Sequence, residues 1–224
     1  MGTGGYGVKL LASLVQLEAF LGEPLLCPTF CLDRRGRAVA LERRPAHRFH
    51  MASMQTYQPV DRSFFETTRF SFVVEVELDC SPEQLFAVFE DAHAWTVWAD
   101  ALKKVEWTSP KPFGPGTTRT VTLPGGRVAD EVFFAWERGK HMAFYFERGN
   151  MPLEAFAENY DVTDLGNGRC KLCWRVALIP TGAGKVLLPI FRPIMEWQLN
   201  GMMKGLKKYI AQQAFEAAVP AAAR

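Results

Sequence analysis

Apolar and polar residues alternate along Phe70-Ser-Phe-Val-Val-Glu-Val-Glu-Leu-Asp79, a stretch rich in β-branched and aromatic side chains. That pattern predicts a strand. The period then changes. Ser81-Pro82-Glu83-Gln84 reads as a helix start, with Ser81 as N-cap, Pro82 in the first turn and Gln84 completing a capping box. Leu85, Phe86, Val88 and Phe89 supply its apolar residues, and a second short helix is expected over Ala92–Trp98. Alternation returns in Val105–Ser109, Thr117–Leu123, Arg127–Trp136, His141–Glu147, Leu153–Val162 and Arg169–Leu178. Between them lie Gly114-Pro115-Gly116, Pro124-Gly125-Gly126, Arg138-Gly139-Lys140 and Gly166-Asn167-Gly168. Strands joined by such short turns form an antiparallel meander.

The last pattern is helical and long. Pro189 sits near its start, and Phe191, Met195, Leu199, Met202, Leu206 and Ile210 recur at helical spacing. Lys204, Lys207 and Lys208 mark a polar face, and Pro193 is placed to kink the first turns. The order is strand, two short helices, six strands and a long helix. It predicts an α+β fold: a curved antiparallel sheet of about seven strands wrapped around a C-terminal helix. The helix is the only element large enough to cover the open face of the sheet. A sheet curved around a helix leaves room between them for an apolar molecule.

The N-terminal quarter is patterned differently. Val8–Leu32 is apolar but interrupted by Lys9, Glu18, Glu23, Pro24 and Pro28. It fits neither a membrane span, which needs about 20 predominantly apolar residues, nor a secretory signal. A short helix over Val8–Leu21 is expected, then a Pro-broken segment. Residues 33–62 form an Arg-rich connection containing Met51 and Met54. Residues 1–50 are either a genuine extension or lie upstream of a natural start at one of these methionines. The organisation expected is an extension over 1–62, a domain over 63–216 and a frayed tail over 217–224.

Composition narrows the class. The 224 residues are 48% apolar and 22% charged, with a formal net charge of +2. These values exclude a disordered chain, a collagen-like chain and a disulfide scaffold. Seven basic and four acidic residues fall in 1–50, leaving nineteen basic and twenty acidic in 51–224. The main body therefore lacks a field that would concentrate nucleic acid, and no nucleic-acid partner is expected. The five cysteines are scattered and odd in number, which suits reduced thiols in a cytoplasmic protein. Cys170-x-x-Cys173 looks like half a metal site, but three residues apart on a strand places the thiols on opposite faces.

Several features together resemble the polyketide cyclase/dehydrase group of the START-like superfamily, the helix-grip or birch-pollen-allergen-like fold (also called SRPBCC). Ser81-Pro82-Glu83-Gln84-Leu85-Phe86 follows the first strand, and Trp95 and Trp98 form an aromatic pair in the second helix. Gly114-Pro115-Gly116-Thr117 resembles the group's glycine turn, and Gly166-Asn-Gly168 leads into Cys170-x-Leu172-x-Trp174-x-Val176. The resemblance spans about Phe70 to Gln213. It implies a deep, largely apolar cavity for lipids, polyketides or similar molecules, and it does not imply one reaction.

Strand parity suggests which side chains enter that cavity. Cys170, Leu172, Trp174, Val176 and Leu178 share one face of the last strand. With Val162 inward beside them, Tyr160, Glu158, Phe156 and Glu154 also point inward. Val132, Phe134 and Trp136 are expected inward, bringing Asp130 with them, unless a bulge reverses the parity. Glu158 with Tyr160 is the best candidate acid–base pair, since buried carboxyls take raised pKa values. Arg119 is placed to polarise a carbonyl. Trp98, Phe144 and, on the long helix, Met195, Leu199 and Met202 are candidate walls, although core packing explains apolar residues equally. His47, His50, His93 and His141 have no partners at metal-ligand spacing. A G-x-S-x-G elbow, a phosphate loop and a strand-following G-x-G-x-x-G are all absent. No cofactor and no metal is expected. Three readings stay open: a carrier or sensor of an apolar molecule, a cyclase or dehydratase-like enzyme, and a membrane-peripheral or protein-interaction module.

Overall fold

A computed structural model describes residues 53–218. The expected helix at Val8–Leu21, the Arg-rich segment before Met51, Cys27, Cys31, His47 and His50 lie outside the described residues, as does the tail beyond 218. The chain runs β1 (Gln55–Thr56), α1 (Phe64–Thr67), β2 (Ser71–Leu78), α2 (Pro82–Glu90), α3 (Ala92–Trp98) and β3 (Lys104–Trp107). It continues through β4 (Thr118–Leu123), β5 (Arg127–Glu137), β6 (His141–Gly149), β7 (Leu153–Gly166) and β8 (Arg169–Pro180) to α4 (Gly184–Ala218). The sheet order is β2-β8-β7-β6-β5-β4-β3, with β1 added to the end of β6. All pairings are antiparallel. The fold is thus the curved open sheet with a long C-terminal helix that the alternation predicts.

Local chemistry sets the element ends. The Ser81 hydroxyl accepts from Gln84 N at 3.3 Å while Gln84 Oε1 accepts from Ser81 N at 2.8 Å, the reciprocal capping box. Asp91 ends α2 and also caps α3, its carboxylate accepting from His93 N at 2.8 Å. One residue therefore turns the chain between two helices, and this aims Trp95 and Trp98 at the sheet.

Packing onto the sheet begins before the clear patterning does. Tyr57, two residues after the start of β1, is buried, and its hydroxyl accepts from Met151 N at 2.8 Å. A Cβ on Gly149 would lie 2.7 Å from that hydroxyl, so glycine is needed where β1 crosses β6. On the outer face, Phe64 and Phe65 of α1 cover Ala155, Ala157 and Ala177. Three small residues on β7 and β8 make a bed for the two rings.

Three inward assignments on β5 require correction. Ala129, Glu131 and Phe133 are the buried residues of its first half, so Asp130, Val132 and Phe134 face outward. Asp130 accepts from Thr120 Oγ1 at 2.8 Å, and Phe134 joins the outer cluster with α1. The pairing of β5 with β6 shifts twice: the first shift leaves Glu147 of β6 unpaired and the period of β5 intact, and the second, at Phe134, breaks that period. After the second shift Trp136 returns to the core, where its ring meets Phe133 at 5.1 Å and Phe86 at 5.9 Å. Glu154 is a fourth correction. It is exposed at the start of β7 and pairs with Lys185 Nζ at 2.6 Å.

Candidate functional site

Register brings four polar groups to one face of the sheet. Arg119 on β4 stands directly across from Glu131 on β5, and Tyr160 on β7 across from Trp174 on β8. Glu158 shares the face of Tyr160, two residues before it, and pairs with Phe144 of β6. Arg119 and Glu131 are both buried and joined by a short ion pair through Nε. The Tyr160 hydroxyl donates to Glu158 Oε2, and Trp174 Nε1 donates to the same oxygen at 3.0 Å. No described residue hydrogen-bonds the other Glu158 oxygen.

The surroundings are aromatic. Trp95 is held by its indole N–H on the Phe89 carbonyl at 2.7 Å, and its ring lies 4.2 Å from the Arg119 guanidinium carbon. Phe144, Phe133 and Trp107 stand 4.9, 5.1 and 5.3 Å from it. A guanidinium over ring faces gains cation–π attraction in place of the water it has lost. One of its nitrogens, Nη1, is buried without a hydrogen-bond partner. Phe89 meets Tyr160 edge-on at 5.4 Å, so α2 and α3 close on the same cluster that the sheet builds.

The charges explain the electrostatics. Burial, with the nearby Glu131 carboxylate adding to it, pushes the Glu158 carboxyl up to about 7 against the two hydrogen bonds and Arg119. Burial also raises Glu131, opposed by its ion pair. Tyr160 is held well above its usual value by burial and by the Glu158 charge, so it keeps its proton and donates it. One fixed cation therefore faces two carboxyls of which the second exchanges its proton near neutrality. Glu158 can give or take a proton from a bound molecule, while Arg119 can polarise an oxygen.

The remaining candidates divide. Phe144 stacks on Tyr160 at 6.3 Å and belongs to the cluster, as does Trp174. Trp98 is buried 4.7 Å from Trp95, and its indole N–H is unpaired. Phe156 is half-buried and stacks on Phe146 at 4.1 Å, toward the end of the core where α4 begins. Met195 and Leu199 are buried and Met202 half-buried in the same apolar core. Asp130, Phe134 and Glu154 lie elsewhere. Trp95 and Phe133 complete the aromatic wall, and Glu131 and Trp107 join the cluster without having been singled out as site residues. The alternation Ala129-Glu131-Phe133 beside Arg119 was the signal: a lone carboxylate between apolar residues, across from a lone cation.

A curved antiparallel sheet around a long C-terminal helix, with two short helices after its first long strand, is the START-like architecture. The profile of the family described as polyketide cyclase / dehydrase and lipid transport matches residues 69–211, and the chain belongs to that family. Uncharacterised proteins of Mycobacterium tuberculosis and Mycobacterium bovis are 42% identical over 157 residues, which is 70% of this chain and 93% of theirs. A START superfamily protein from Mycobacterium smegmatis superposes with a TM-score of 0.54 at 14% identity, covering 64% of this chain and 98% of its own. A Thermus thermophilus protein superposes with a TM-score of 0.54 at 13% identity, covering 64% and 99%. The fold is one that binds hydrophobic ligands. No described helix is long and apolar enough to cross a membrane.

Proposed function

We propose that the protein binds an apolar small molecule between the sheet and α4, and that Glu158, Tyr160 and Arg119 engage an oxygen-bearing group on it. The observation that carries this reading is the Glu158 carboxyl. It sits among aromatic rings, keeps one oxygen free of protein hydrogen bonds and is pushed up to about 7. A carboxyl is costly in an apolar core, by several kcal/mol when unpaired. It suits a site that must meet a polar atom on an otherwise apolar guest. Native mass spectrometry of the full chain, followed by extraction of bound molecules, tests the reading. The expected result is a co-purified lipid or polyketide-like compound. Glu158→Gln and Tyr160→Phe should weaken its retention by about 1 kcal/mol, the net worth of one hydrogen bond. An unliganded protein that no apolar compound shifts in melting temperature would overturn it.

A second reading rests on the same carboxyl. A group titrating near 7 beside a tyrosine donor can serve as general base and then general acid in an enolisation–dehydration sequence. In that case Glu158→Gln lowers kcat by about a hundredfold or more while KM changes little. Ligand retention without turnover leaves the carrier or sensor role.

A further inference from the structure

The first half of α4 presents apolar side chains to water. Val186 is 71% exposed, Ile190 66% and Trp197 60%. Spacings of four and seven residues put them on one face of the helix. Pro189 and Pro193, also exposed, fall between them. The helix is held at this end by its charged neighbours. Lys185 Nζ binds Glu154 at 2.6 Å, and Arg192 donates to the Ser71 carbonyl of edge strand β2 at 3.0 Å. An open groove of about 110 Å³ runs beside the stripe, lined by Arg69, Phe70, Phe72, Leu188, Pro189 and Arg192. Positive charge also collects on this element. Residues 184–218 carry five basic and two acidic side chains, while residues 51–183 carry thirteen basic and eighteen acidic.

We propose that this face of α4 docks the protein on an anionic phospholipid bilayer, with Val186, Ile190 and Trp197 entering the boundary between headgroups and acyl chains. Lys185 and Arg192 beside the stripe are paired with Glu154 and Glu196. Lys204 and Lys208, seven and eleven residues past Trp197, continue its face as exposed cations. An apolar stripe extended by lysines is the form of an interfacial helix. The indole of a tryptophan settles at that depth because its ring is apolar and its N–H polar. Among the described residues, a cationic helix beside an acidic remainder also turns this side of the domain toward a negative surface. The proposal goes beyond the interior site and does not depend on what that site binds.

The test is co-sedimentation of the full chain with phosphatidylcholine vesicles, with and without about one-third phosphatidylglycerol. Binding is expected on the anionic vesicles, reduced by added salt and absent from phosphatidylcholine alone. Ile190→Glu and Trp197→Ala should each weaken partitioning by about tenfold. Leu165→Ser, at the β7–β8 turn, should leave it unchanged. Because the two α4 side chains are exposed, their variants should keep the parent melting temperature. Absence of binding to anionic vesicles overturns the proposal, as does binding that neither α4 substitution weakens. A concentration-dependent dimer that the same substitutions dissociate, without vesicle binding, overturns it in favour of a second copy of the chain.

Discussion

The two halves of α4 obey different rules, although they are one continuous helix. From Leu199 onward, Leu199, Met203, Leu206 and Ile210 are buried while Lys204, Lys207 and Lys208 face water. That is the ordinary division of a surface helix. Up to Trp197 the inward positions Leu188 and Met195 are equally buried, but the outward ones include Val186, Pro189, Ile190, Pro193 and Trp197 beside Lys185 and Arg192. The prolines each remove an N–H from the helical ladder. Burial of the inner face decides where a helix lies, whereas the outer face is free to vary with what surrounds it. The second half of α4 exposes lysines, with Phe215 apolar and exposed near its end; its first half exposes Val186, Ile190 and Trp197.

The sharpest way to break this comparison is to truncate a side chain on each side. Leu206 is fully buried, and Leu206→Ala should lower stability by about 2–5 kcal/mol. Ile190→Ala should change it by no more than about 0.5 kcal/mol. Urea unfolding of both variants measures the difference; equal losses would mean that the exposed stripe is part of the core. The next effect concerns the buried cluster that α2 and α3 cover. Glu158 has a folded pKa raised from 4.5 to about 7. The folded state therefore holds a proton that the unfolded state releases between those values. Stability is highest below about pH 4.5 on this account and falls by roughly 3 kcal/mol as pH rises to 7, with no further loss above. Glu158→Gln should flatten that slope, which unfolding at a series of pH values checks. A slope that survives the substitution assigns the proton to another group.

Smaller effects separate the two glycines of the second half. A Cβ on Gly205 would lie 2.5 Å from the Trp98 carbonyl oxygen, where α4 touches α3. Gly205→Ala should cost about 1–3 kcal/mol by forcing the helices apart. Nothing stands within 4 Å of a Cβ on Gly201. Gly201→Ala should stabilise by about 0.5–1 kcal/mol through helix propensity alone. Thermal melts of the pair distinguish close approach from propensity, and a shared sign would refute the distinction.

Much of this was legible in the chain, and the exceptions share a cause. The element order, the capping box at Ser81, the second short helix over Ala92–Trp98 and the inward set Cys170, Leu172, Trp174, Val176 and Leu178 follow from period and local chemistry. Those depend on neighbours within a few residues. Glu158 and Tyr160 were readable because β7 keeps its alternation from Ala155 to Glu158 and Trp174 lies directly opposite. Asp130, Val132 and Phe134 were misplaced because β5 carries an extra residue at Phe134, so the parity that holds at Trp136 is reversed in everything before it. Parity carries no mark of where a bulge falls; the pairing with β6 decides it.

The alternation of apolar residues by itself determined the curved sheet, the closing helix and the presence of a carboxyl among the inward positions. Only the tertiary structure decided that Glu131 rather than Asp130 would join Arg119, that Trp95 would cover the guanidinium, and that the Glu158 carboxyl would titrate near 7. The reason is physical. Period and capping arise from the backbone and the nearest side chains, so they are written locally. Ion pairing, cation–π contact and desolvation depend on which distant residues share a face once the strands have registered, and that register is settled only when the whole sheet closes around α4.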